Sequence, residues 1–155
     1  MSRGPKINKK PIETDPVYKS RVVTRVVNRV LLHGKKEVAK KTVYFVLDNL
    51  SQDRKEATQL FEQAIKDLMP GKEVRSRRIG GATYQVPVPL RHSRSEALAI
   101  RWLVETARAK KGKPIAQKLL EEIQAVLKKE GSAYKKKEDT LRMAEANKAF
   151  SHLRW

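Results

Sequence analysis

The stretch at residues 73–90, EVRSRRIGGATYQVPVPL, interrupts a helical spacing of apolar residues that runs through most of the chain. Its residues alternate on both sides of a double glycine, and glycine readily adopts the positive φ angles of a two-residue hairpin turn. We therefore predict a β-hairpin, called the ribbon below, in which Ile79 pairs with Ala82. Because Pro87 and Pro89 cannot donate to a strand ladder, the ribbon is expected to contain two strands and to lie outside any larger sheet.

Outside the ribbon, apolar residues recur three and four positions apart, which is typical of amphipathic helices. Glycines, prolines and capping residues divide this pattern into six segments. The predicted helices run from Pro16 to Gly34, from Lys36 to Leu50, from Asp53 to Pro70, from Ser93 towards Gly112, from Pro114 to Gly131, and from Ala133 to about Phe150.

Several polar residues are spaced as N-terminal helix caps. Asp15 precedes the first predicted helix, and the pairs Asp53 with Glu56 and Ser93 with Glu96 have the spacing of capping boxes. These residues are therefore expected to bind the free backbone N–H groups at the start of their helices.

The length and composition favour a single globular domain. The chain has 155 residues, of which 39% are hydrophobic and 34% charged, so it has enough apolar residues for one core and an unusually charged surface. Residues 1–14 are basic, contain two prolines and lack apolar periodicity, which predicts a flexible arm. We expect a mainly α domain at residues 15–155, with about six helices and a protruding two-stranded β-hairpin.

The charge balance points to a polyanionic partner. Thirty-five Lys and Arg residues against seventeen Asp and Glu give a formal charge of +18, which opposes compaction unless an anion is bound. A membrane is a weaker candidate, because we find no run of about 18 apolar residues, no signal peptide and no lipidation motif. The absence of cysteine excludes disulfides and cysteine-bound zinc. Nucleic acid is the favoured partner.

The sequence gives little support to catalysis. Its three histidines, at positions 33, 92 and 152, have no carboxylates at metal-ligand spacing, and the double glycine lacks the context of a phosphate-binding nucleotide loop. We expect no enzyme activity, no metal and no cofactor. A general architectural nucleic-acid-binding protein remains the alternative to an RNA-binding structural protein.

Cations occur in rows on three predicted helices. The first helix has an arginine at every fourth position with few acidic residues nearby in sequence, so this row is expected to face outward unpaired. The fourth helix has an arginine at every seventh position, and this row is also expected to face outward, although Glu105 can pair with Arg101 or Arg108. Three lysines fall in the first turn of the sixth helix, where the helix dipole disfavours them and an external anion would help. These residues are Arg21, Arg25 and Arg29; Arg94, Arg101 and Arg108; and Lys135, Lys136 and Lys137.

The ribbon carries its own cations. In the predicted register Arg77 faces Tyr84 and Arg75 faces Val86. The base of the ribbon could pack on the helices through its apolar residues, whereas its arginines are better placed beside phosphates, with Tyr84 stacking on a base or supporting Arg77.

Four segments together resemble the bacterial small-subunit ribosomal protein seven family, and the similarity covers nearly the whole chain. They are HGKK at 33–36, EVRSRRIGGATYQVPV at 73–88, ALAIRWLVETAR at 97–108, and KKKEDTLRMAEANKAFSHLRW at 135–155. Their order and spacing also match the family. Pro89 is a departure, because the family typically has one proline in that strand.

The resemblance implies a cytoplasmic, ribosome-associated primary binder of the 3′ major domain of small-subunit ribosomal RNA, which nucleates assembly of the head. It also implies that the ribbon lies near the exit-site tRNA and the messenger exit path, next to neighbouring head proteins and a platform protein, with no membrane partner. The RNA-facing positions that it implies are Lys35, Lys36, Arg75, Arg77, Arg78, Gly80, Gly81, Lys135, Lys136 and Arg142. The charge pattern adds Arg3, Lys10, Arg25, Tyr84, Arg91 and Arg94.

Overall fold

The computed structural model describes residues 11–153, and its architecture is six α-helices, one antiparallel hairpin and a short 3₁₀ helix. This confirms the predicted mainly α fold with a two-stranded ribbon. None of the helices within the described range is long and apolar enough to cross a membrane. The elements are α1 (Arg21–Val30), α2 (Lys36–Asp48), α3 (Arg54–Leu68), β1 (Lys72–Ile79), β2 (Ala82–Pro89), α4 (His92–Ala109), α5 (Ile115–Leu127), α6 (Ser132–Ala146) and the C-terminal 3₁₀ helix (Lys148–Leu153).

Helix α5 lies at the centre of the helical packing and contacts α2, α3, α4 and α6. Its residues Leu119, Ile123 and Val126 are completely buried. Each such side chain stabilises the fold by about 1.5–3 kcal/mol through removal of apolar surface from water. Phe61 of α3 and Leu103 of α4 are also completely buried in this core.

The first helix begins later than predicted. Asp15 does not cap α1; its carboxylate closes a turn by accepting backbone hydrogen bonds of 3.1 Å from the residues two and three positions ahead. Lys19 has a φ of 51°, which prevents a continuous helix from Pro16. Ser20 is the cap, and its hydroxyl accepts a 3.2 Å hydrogen bond from the Val22 N–H.

Two helix ends also differ from the prediction. Helix α1 ends at Val30, because the corner that contains Gly34 already starts at residue 31. The sixth helix ends at Ala146, and the predicted final turn is instead the C-terminal 3₁₀ helix starting at Lys148.

The predicted capping box of α3 is half correct. Asp53 is the cap, and its carboxylate accepts a 3.1 Å hydrogen bond from the Lys55 N–H. Glu56 does not reach back to the cap backbone; its carboxylate accepts a 2.5 Å hydrogen bond from the Ser51 hydroxyl.

A buried carboxylate, Glu122, joins α5 to two neighbouring segments. The side chain is fully buried; one oxygen lies 2.6 Å from the Ala133 N–H at the start of α6, and the other lies 2.6 Å from the Lys110 ammonium. The Lys110 side chain is 34% exposed, whereas the carboxylate is fully buried, so loss of either partner would leave a buried charge or a polar group without compensation. Glu122 of α5 thus places a carboxylate at the N-terminus of α6, where the sequence suggested that an external anion would help.

Gly131 gives a direct test of this arrangement. It has a φ of 96°, and a Cβ at this position would lie 3.1 Å from a Glu122 oxygen and 3.0 Å from the Ala125 Cβ. Gly112 has a similar φ of 88° but open space around it. Both Gly→Ala variants are strained, and we expect Gly131→Ala to lose about 1–3 kcal/mol more because it displaces the buried carboxylate. Urea denaturation of the two variants measures the difference, and equal losses would contradict the role of Glu122.

Two tyrosines form a second polar connection, between the turn before α1 and α2. The Tyr18 hydroxyl donates to Asp48 at 2.5 Å, and the Tyr44 hydroxyl donates to Asp15 at 2.8 Å. The two rings meet edge to face with centroids 5.3 Å apart. Burial, followed by the hydrogen bond to Asp15, raises the pKa of Tyr44 from 10.0 to about 12, and burial likewise raises the pKa of Tyr18.

The raised pKa of Tyr44 makes its contribution to stability dependent on pH. Because the folded pKa of about 12 exceeds the ordinary 10.0, the contribution is complete below pH 10 and is lost as the pH rises towards 12. We expect Tyr44→Phe to lower the free energy of unfolding by about 1 kcal/mol at pH 8, with a difference from wild type that shrinks towards pH 12. Urea denaturation across this range tests it, with Tyr134→Phe as the control; a constant difference would contradict it.

Candidate nucleic-acid interface

The ribbon has the register expected from its sequence. Every predicted pair is present, including Arg77 opposite Tyr84. Gly80 and Gly81 form the turn with φ angles of 55° and 90°, both positive as a type I′ hairpin turn requires. Both glycines are exposed, with nothing close to where a Cβ would be. The turn therefore offers bare backbone to a partner.

Only the tip of the ribbon extends freely from the domain. Val86 is completely buried and Pro87 is buried, while β1 packs against α6 and β2 against the C-terminal 3₁₀ helix. The Tyr84 ring lies 5.4 Å from the Phe150 ring, centroid to centroid. An isolated two-stranded ribbon is marginal in water, so the C-terminal 3₁₀ helix acts as a support that fixes where the ribbon points.

This support is open to experiment. We expect Phe150→Ala to increase amide hydrogen exchange of residues 82–86 several-fold while the core helices stay protected, because the substitution removes the aromatic ring that packs on β2. Hydrogen exchange followed by mass spectrometry measures this. The matched control is Phe45→Ala, at a phenylalanine of α2 that is 40% exposed. Unchanged exchange in the ribbon, or equal effects of the two substitutions, would contradict the support.

Contrary to the prediction for α1, the arginine rows of α1 and α4 are paired in part: Arg25, Arg29 and Arg94 form ion pairs with described carboxylates. Glu96 of α4 is 3% exposed and forms an ion pair with Arg25 of α1. It therefore does not form a capping box with Ser93, and α4 instead begins at His92 with Arg91 in the cap position. The partner of Arg25 lies 71 residues away in sequence, so local spacing could not reveal it.

A second carboxylate on α4 connects three helices. Glu105 lies 3.0 Å from the Arg29 guanidinium of α1 and 3.9 Å from the Lys136 ammonium of α6. Arg108, one turn further on, donates a 3.1 Å hydrogen bond to the Val30 carbonyl at the end of α1. The outer parts of α1, α4 and α6 consequently form one continuous basic face.

Glu73 joins the ribbon base to the same face. This carboxylate is 7% exposed and lies 2.6 Å from the Arg75 guanidinium and 3.2 Å from the Arg94 guanidinium. It fixes the base of β1 beside the first turn of α4. An arginine has five N–H donors, so both guanidinium groups retain donors for phosphate.

Between α1 and α4 lies an open groove of about 270 Å³. Arg29 and Arg101 line it together with Arg25, yet these two were not among the predicted RNA-facing residues. Arg29 belongs to the row at every fourth position and Arg101 to the row at every seventh. The sequence could not show that these two rows face each other across a groove.

The other predicted residues fall into four groups. Lys35, Lys36, Arg78, Arg91 and Lys135 are exposed and form no ion pair with another described residue. Arg142 has a side chain that is 80% exposed and lies 3.9 Å from Asp139. Arg77 is half-buried along the ribbon, and Arg3 and Lys10 lie outside the described residues.

The third lysine in the first turn of α6, Lys137, makes its contacts within the protein and not with an external ligand. Lys137 donates a 2.6 Å hydrogen bond to the Asp67 carbonyl and lies 5.1 Å from the centroid of the Tyr134 ring. In residues 11–153 there is no cluster of three side chains able to hold a metal ion. The described surface therefore offers a ligand cationic side chains and the exposed backbone of the glycine turn.

The sequence model of the family described as "Ribosomal protein S7p/S5e" matches residues 2–148 of the chain. The chain belongs to this family. This match confirms the resemblance noted from the sequence. The ribosomal protein S7p/S5e family is structural and non-enzymatic, which confirms the expectation that the chain is not an enzyme.

Individual relatives agree with the family match. The chain is 49% identical to the small ribosomal subunit protein uS7 of Thermotoga neapolitana over 154 residues, which is 99% of each chain. It is 52% identical to the protein of that name from Fervidobacterium nodosum over 145 residues, 93% of this chain and 94% of the relative. The protein of that name from Pelotomaculum thermopropionicum is 48% identical over the full length of both chains.

Proposed function

We propose that the chain is a structural constituent of the small ribosomal subunit and a primary binder of the 3′ major domain of its RNA, where it nucleates assembly of the head. The observation that carries this proposal is the continuous basic face of α1, α4 and α6, to which Glu73 attaches the ribbon. Membership in the ribosomal protein S7p/S5e family supports the ribosomal location of the chain.

The arrangement suits the recognition of folded RNA through its backbone. Exposed lysines and arginines neutralise phosphates and position a protein on nucleic acid, whereas sequence is read by contacts to bases. Lys35, Lys36, Arg91 and Lys135 supply such charges from separate elements. The donors that remain on the paired arginines lie at fixed positions, so they fit a particular phosphate arrangement.

The ribbon tip serves a second contact in this proposal. Its bare glycine turn lets backbone approach a nucleotide closely, and Arg78 beside it is exposed. We assign the tip to the neighbourhood of the exit-site tRNA and the messenger exit path, beside a platform protein, with other head proteins around the domain. The supported base and free tip are consistent with a ribbon that reaches away from the main RNA-binding face.

Removal of exposed cations should weaken RNA binding without unfolding the protein. We expect the double variant Arg91→Ala/Lys135→Ala to bind a transcript of the 3′ major domain at least tenfold more weakly. The slope of log affinity against log salt should become less negative by nearly one for each phosphate of duplex RNA that is no longer neutralised. Filter binding at several salt concentrations measures both quantities, and circular dichroism measures thermal unfolding, which should not change.

The matched control removes the same charge from α3. Residues 47–70 carry five acidic and three basic side chains, and Lys55 and Lys66 are exposed on this helix. We expect Lys55→Ala/Lys66→Ala to change affinity less than twofold. Equal weakening by the two double variants would mean that net charge alone binds the RNA.

A competition experiment separates the proposal from general nucleic-acid binding. Equimolar duplex DNA should displace the folded 3′ major domain transcript poorly, because the fixed arginine face matches RNA shape. Equal competition by DNA would favour the general architectural alternative.

A further inference from the structure

An apolar groove of about 470 Å³ lies where the corner between α1 and α2 meets the first turn of α5. Val30 and Ile115 contribute to its lining, and Leu32 and Val38 stand at its edge. Leu32 is 54% exposed and Val38 is 61% exposed, the two highest values among the large hydrophobic residues of the described chain. Scattered exposed apolar residues are ordinary, but two that line one concave surface are a mark of an interaction site.

Three cationic residues also line the groove. Lys35, Arg108 and Lys118 are on the groove, whereas no aspartate or glutamate of the described residues lines it. Two of these cations are held in place: Arg108 donates to the Val30 carbonyl at 3.1 Å, and the Lys118 ammonium donates to the Lys110 carbonyl. A complementary occupant therefore combines an apolar side chain with carboxylates.

Three other occupants fit this chemistry poorly. Residues 1–10 of the chain contain four cations and no carboxylate, so their charge opposes binding to a basic groove. A second copy, with a formal charge of +18, is disfavoured for the same reason. RNA bases stack on aromatic side chains, and among the described residues His33 is the one aromatic side chain that lines the groove, so RNA would leave most of its aliphatic lining unused.

We propose that this groove is the docking site of another protein, which inserts an apolar side chain flanked by aspartate or glutamate. The aliphatic lining buries the inserted side chain, and Lys118 pairs with a flanking carboxylate. This inference goes beyond the proposed function, because it concerns a protein partner and a groove that adjoins the basic face of α1, α4 and α6 and, among the described residues, shares only Arg108 with it.

The probe is a phage-displayed library of random twelve-residue peptides, selected on the full chain with heparin present to occupy the RNA-binding surface. We expect the enriched peptides to combine a large apolar residue with neighbouring carboxylates. The enriched peptides are then synthesised, and their affinities are measured by fluorescence anisotropy. Failure to enrich such peptides, or enrichment of basic ones, would overturn the proposal.

Single variants then locate the binding. We expect Val38→Glu and Leu32→Glu each to weaken the selected peptides at least tenfold, since each places a negative charge at the apolar edge of the groove. The control Gln59→Glu adds the same charge at an exposed position of α3 that does not line the groove and should change affinity less than twofold. Equal losses in all three variants would contradict docking in the groove.

The same variants distinguish this inference from RNA binding. Val38→Glu and Gln59→Glu should bind the 3′ major domain transcript with affinities within twofold of each other. A tenfold larger loss for Val38→Glu would assign the groove to RNA and overturn the docking of a protein. If neither the variants nor the wild type bind the transcript, the proposed function fails while the peptide result still stands.

Discussion

The position of the ribbon depends on a carboxylate in the core. Glu122 binds both the Ala133 N–H at the start of α6 and the Lys110 ammonium. Helix α6 packs on β1 and leads into the C-terminal 3₁₀ helix, which packs on β2. Loss of the ion pair between Glu122 and Lys110 would therefore disturb the position of the ribbon through α6, although both polar partners of Glu122 lie outside the two strands.

Three acidic residues of this strongly basic chain lie at structural junctions. Glu73 connects the ribbon to α4, Glu96 connects α4 to α1, and Glu105 connects α4 to both α1 and α6. Each carboxylate reduces repulsion among neighbouring cations and fixes their positions. The remaining positive charge is thereby arranged in a defined pattern, which a flexible basic tail would lack.

Local patterns predicted the fold well, whereas contacts between distant residues decided the details. The apolar periodicity and breakers indicated the six helices, and the turn chemistry of Gly80 and Gly81 indicated the whole strand register. The capping roles of Asp15 and Ser93 were wrong, because a residue with capping chemistry can be used elsewhere or left exposed. The partner of Arg25 could not be predicted, since its ion pair forms across 71 residues of sequence.

The contact between the ribbon and the C-terminal 3₁₀ helix sets an order of events during synthesis. Translation completes the second strand at Pro89 but reaches Phe150 only 61 residues later, the difference between the two residue numbers. At about 5–20 residues per second, the newly made strands wait about 3–12 s before their aromatic support exists. A nascent chain thus carries the hairpin before the contact that fixes its direction has formed, and the direction of the ribbon is set only after Phe150 has been made.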